Sequence, residues 1–137
     1  LSQATANNPD VTLAIDLYDD WDDASGGVEL PTGCLVVNSD FFGSNPKAVR
    51  YFIKDFDASV NMSRHSIDET AQMAERYKMV SSASIAKSAI PGSSISVTTG
   101  DKMKTTVSDF LNLMSKNDPA VIGNKIPDEN FYYIDGK

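Results

Sequence analysis

Basic residues, histidine and cysteine are all scarce in this chain, and each shortage excludes something. Its 137 residues carry 12 lysines and arginines against 19 aspartates and glutamates, a net charge of -7. That balance opposes the phosphate neutralisation from which most non-specific nucleic-acid affinity comes, so nucleic acid is not an expected partner, and anionic membrane surfaces are poor ones. One cysteine, Cys34, excludes an intrachain disulfide and cannot by itself build a zinc site. Its expected place is that of a small buried apolar residue opening a strand. One histidine, His65, is all that a Ser-His-Asp triad could use, and no Gly-x-Ser-x-Gly elbow accompanies it. Its expected place is an exposed position between two helices. No apolar run approaches the roughly 18 residues that cross a bilayer. The opening Leu1 to Asp10 has neither a basic nor an apolar leader region, so any export signal is expected to have been removed or to lie outside this sequence.

What is present is the make-up of a folded body: 41% apolar and 23% charged residues place the chain among ordinary globular domains rather than disordered ones. Two short apolar runs, 11–15 and 34–37, are bounded by turn residues and predict strands buried on both faces of a helix-covered sheet. A third, 94–98, alternates polar and apolar and predicts a half-exposed strand.

Helical spacing is stronger. Asn45-Pro46 predicts an N-cap followed by proline at the first helical position, with Val49, Phe52, Ile53, Phe56 and Val60 recurring on one face. Ser66-Ile67-Asp68-Glu69 has capping-box form, opening a helix with a narrower stripe of Ile67, Ala71, Ala74 and Tyr77. A further helix is expected over about 101–115, with Met103, Val107, Phe110, Leu111 and Met114 facing a core. An irregular tail follows, pinned by Phe131, Tyr132 and Tyr133. Three short strands are too few for helices of this apolarity, which suggests strands supplied from elsewhere.

Chemical motifs fail one after another. The carboxylates of Asp16, Asp19, Asp20, Asp22 and Asp23 invite a calcium reading, but a loop counted from Asp20 has Ala24 and Ser25 at required positions and Pro31 at the twelfth. A short helix with favourable first-turn carboxylates and an inward Trp21 is the simpler account. Gly26-Gly27 belongs to no phosphate-binding loop. Leu30-Pro31-Thr32-Gly33-Cys34 follows an acidic stretch where a lipoprotein cleavage box needs an apolar one. No metal or cofactor is expected, and no catalytic residue.

Four pieces, in order, carry a resemblance: Asn8-Pro9-Asp10 with Asp16-Leu17 and Trp21; Leu30 to Val37 followed by Asp40-Phe41; Asn45-Pro46-Lys47-Ala48-Val49; and Ala89-Ile90-Pro91 with the segment from Asn117 through Gly123-Asn124-Lys125-Ile126-Pro127-Asp128 to Phe131-Tyr132-Tyr133. Together they resemble the C-terminal half of the substrate-binding proteins of ABC importers, in the group serving nitrate, sulfonate, taurine and pyrimidine precursors. The resemblance covers nearly the whole chain, and its closing segment is the most specific part.

The resemblance implies an α/β fold, the C-terminal portion of a type 2 periplasmic-binding-protein arrangement, helix-rich with about three short strands. Residues 1–29 are then expected to finish the second lobe, 30–38 to form a crossover (hinge) strand, and 39–137 to supply the C-terminal portion of the first lobe, the N-terminal half being absent. It also implies capture of a small polar solute between two lobes and delivery to an ABC permease, in an extracytoplasmic, periplasmic or membrane-anchored lipoprotein setting. Thr32 and Gly33, at the cleft floor, and Trp21 are the candidate ligand-binding residues. Ordinary backbone and core-packing roles stand beside those readings. Half a cleft should bind weakly, and its uncovered surfaces should drive self-association or pairing with the missing half. Two other readings are open: a same-fold enzyme of pyrimidine-precursor biosynthesis, and an interaction domain that completes its sheet through a partner chain.

Overall fold

The computed structural model describes residues 1–135; Gly136 and Lys137, the end of the portion expected at 39–137, lie outside the described residues. Seven α-helices run along the described residues: α1 (Ser2–Asn7), α2 (Leu17–Ser25), α3 (Ser39–Ser44), α4 (Pro46–His65), α5 (Ile67–Arg76), α6 (Ala83–Ala89) and α7 (Gly100–Asn117). Single 3-10 turns lie at Ile90–Gly92, Pro119–Ile122 and Glu129–Phe131.

No strand occurs among the described residues, and this overturns the expected α/β class and with it the type 2 periplasmic-binding-protein architecture. All three predicted strands are irregular backbone. A strand is completed by a neighbour's N–H and C=O groups, and local apolarity cannot supply that neighbour. The side chains show the consequence. Leu13 and Ile15 are 55% and 65% exposed, Leu35 and Val36 are 60% and 86%, and Cys34, expected to be buried, is exposed as well.

The chain divides into two units, one of residues 1–14 and 39–97, the other of 15–38 and 98–135. In the first, α5 packs chiefly on α6, with α1 also against α6 and with α3 and α5 against α4. Small residues make the α5 and α6 surfaces fit closely: Ala71 on α5 and Ala86 on α6 are almost wholly buried. Ser81 Oγ donates to Gln3 Oε1 at 3.0 Å, fastening the loop before α6 to α1. Of the stripe predicted on α4, Val49 alone is buried; Phe52 is 55% exposed and stacks on Phe56, also exposed, at 6.0 Å.

Two helix starts depart from their expected chemistry. Asn45 does not cap α4 with its side chain; its Nδ2 donates instead to the Phe41 carbonyl within α3, and its own carbonyl accepts from Ala48. Ser66 makes no side-chain cap for α5, although its carbonyl accepts from the Thr70 N–H at 2.9 Å. At Asn45 the backbone carbonyl thus takes the N3 amide that the side chain was expected to take, whereas the Ser66 carbonyl makes only the first ordinary helical bond.

In the second unit, α7 is the principal element, and the 3-10 turn at 119–122 folds back on it. Tyr132 is the one residue classed as buried there among the described residues, its ring edge-on to Phe131 at 5.2 Å. Lys104 on α7 pairs with Glu129 beside that tail. Helix α2 begins where Asp16 Oδ1 accepts from the Tyr18 N–H at 3.0 Å, with Asp19 and Asp20 in the first turn near the positive end of the helix dipole. It ends at Gly26, whose φ of 69° is left-handed, a conformation that glycine adopts without strain. Replacing Asp16 by alanine is expected to cost α2 about 1 kcal/mol, a normal N-cap effect. Faster hydrogen exchange at the amides of 18–22, with α7 amides unchanged, is the measurement that checks it.

The total exposure is high. A folded chain of this mass, even divided into two separate compact globules, leaves about 8,400 Å² accessible; this one leaves 10392 Å². Large apolar side chains of the extended runs and the aromatics of α4 are among the groups that stand in solvent.

Candidate functional site

The three candidate ligand residues all belong to the second unit. Trp21 sits on α2, half-buried, and its indole is engaged twice: Nε1 donates to the Val28 carbonyl at 2.6 Å, and the ring tilts against Phe110 on α7 at 6.0 Å. Ser25 Oγ accepts from the Val28 N–H at 3.1 Å, so Trp21 and Ser25 together hold the turn after α2. Thr32 and Gly33 lie farther along the extended stretch and are exposed. A β-carbon built on Gly33 meets nothing within 4 Å, so its backbone is open to approach. The structure therefore gives Trp21 a packing role and leaves Thr32 and Gly33 as free polar backbone and hydroxyl.

Sequence reading did not anticipate Glu29. Its carboxylate accepts from Thr106 Oγ1 at 2.8 Å and pairs with Lys102 at 3.3 Å, tying the stretch before Thr32 to α7. The Thr106 hydroxyl first, and Lys102 after it, hold the Glu29 carboxyl below its ordinary 4.5. Because the folded value is depressed, this tie is fully present above the ordinary carboxylate range and is lost as pH falls through the folded value, below 4.5. Thr106→Val removes the larger cause. A carboxyl NMR titration of Glu29 should then show its midpoint moving up toward the ordinary value; an unmoved midpoint would mean that the hydroxyl does not hold the carboxylate. On α7 the neighbouring Lys104 is raised above its usual range, first by its hydrogen bond to Glu129.

Two open hollows among the described residues bear on a site. One of about 410 Å³ lies within the second unit, bounded by Ser25, Val28, Asp109, Asn112, Leu113 and Lys116. The other, about 540 Å³, lies within the first unit where α4 meets α5, beside His65, Ser66, Asp68, Glu69 and Lys87. His65 is the last residue of α4 and exposed, its Nδ1 at 2.7 Å from the Asn61 carbonyl. Lys87 and Asp68 approach to 2.6 Å with both side chains more than half exposed, a geometry that contributes at most about 1 kcal/mol. Enclosed apolar walls with a few aimed polar groups are what small-molecule sites share, and neither hollow has them.

Among the described residues no group of three or more His, Cys, Asp or Glu side chains is placed to hold a metal ion, and the carboxylates of α2 are included in that statement. No described helix is long and apolar enough to cross a membrane. No protein-family model, curated protein or solved structure matches this chain.

Proposed function

We propose that this chain is a part of an extracytoplasmic solute-binding protein serving an ABC importer, a carrier that captures a small polar solute and passes it to a membrane permease without making or breaking bonds. The ordered segments support this reading, above all the run from Ile126-Pro127 to Tyr133. The observation that carries it is the uncovered apolar side chains of each unit. Phe52, Leu35, Val36 and Ile15 are each more than half exposed, the condition of a chain that works against a further polypeptide. That polypeptide is the N-terminal half of the same carrier, and in its absence a second copy of this chain takes its place. A sheet-built lobe within these residues forms no part of the proposal.

Thr32 and Gly33 are the ligand contacts in this reading, a hydroxyl and a bare backbone presented on an exposed stretch. Trp21 supports them by fixing the turn at Val28. The location in this reading is extracytoplasmic, the periplasm or a membrane-anchored cell surface.

A thermal-shift screen of the carrier with its N-terminal half, against nitrate, alkylsulfonates, pyrimidines and amino acids, tests the reading. A ligand that binds only the folded state at a hundred times its Kd adds about 2.7 kcal/mol of stability. One class should raise the melting temperature, and Thr32→Val should reduce that rise while leaving the unliganded melting temperature in place. No shift with any class would remove the support for a carrier.

A further inference from the structure

We draw no further inference here: the strongest candidate, the exposed aromatic face of α4 that carries Phe52 and Phe56, is an unpartnered apolar surface, and nothing in the structure shows what covers it.

Discussion

Ala71→Asp should abolish the helical structure of the α5–α6 pair. Ala71 is 1% exposed, the most buried side chain among the described residues, and it lies on α5, which packs chiefly against α6, where Ala86 is 3% exposed. A carboxylate placed there has neither the room of a methyl group nor a charged partner among the buried residues, none of which is polar or charged. An unpaired buried charge costs several kcal/mol. Ordinary domains hold only about 5–15 kcal/mol in total, and a unit in which Val49, Ala71 and Ala86 are the buried side chains among the described residues lies at or below the low end. Loss of far-UV circular dichroism and of amide protection across 67–89 is the expected result. Met73→Asp is the control. It places the same charge on the same helix at a position 43% exposed, where only a helix-propensity cost of a few tenths to about 0.7 kcal/mol applies. Preserved protection in the Ala71 variant would show that the α5–α6 seam is not what holds this unit together.

The long helices were legible because their signal is local. The stripe from Val49 to Val60 repeats at 3.6-residue spacing, and α4 spans Pro46–His65. The spacing from Met103 to Met114 predicts 101–115, and α7 runs Gly100–Asn117. The carboxylates after Asp16 mark the start of α2 for the same reason: a dipole and an N-cap act within one turn. Helices α1, α3 and α6 are six or seven residues long, too short for periodicity to separate from chance, yet α6 supplies half of the best-packed seam.

The strands were misread because pairing is not a local property. Val11 to Ile15 and Cys34 to Val37 have the composition of buried strands, but composition cannot place a second strand alongside, and none stands there among the described residues. Cys34 followed the same error outward: its burial was inferred from the strand it was to open. Capping failed differently. Asn45 and Ser66 have the right side chains at the right places, but in Asn45 the side chain donates to the Phe41 carbonyl within α3, a competitor that sequence alone does not reveal. Around the candidate site, the Trp21 indole had two possible uses, and the geometry places it on Val28 and Phe110. The role of Glu29 is not legible locally because its partners, Thr106 and Lys102, are more than 70 positions away along the chain.

The uncovered apolar side chains that carry the functional proposal, in each unit separately, should make the isolated chain associate with itself. Phe52 and Phe56 are exposed on α4 beside Tyr51, and Leu35 and Val36 are exposed on the extended stretch. Apolar area returns about 25 cal/mol per Å² when removed from water, so burying these exposed aromatic and aliphatic side chains favours association. Charge does not prevent it. A net charge of -7 spread over 137 residues opposes association over a Debye length of about 8 Å at physiological salt, while contact between apolar faces acts at short range. The double variant Phe52→Lys, Phe56→Lys should shift the population toward monomer, because two charges would then have to be desolvated at any interface that uses this face.

Size-exclusion chromatography with multi-angle light scattering on the chain alone tests the central claim most directly. A mass of two chains or more, falling toward one chain in the Phe52→Lys, Phe56→Lys variant, is the predicted result. A monodisperse monomer of 14.8 kDa that unfolds cooperatively would contradict it, because such a chain would need no partner to cover its apolar faces.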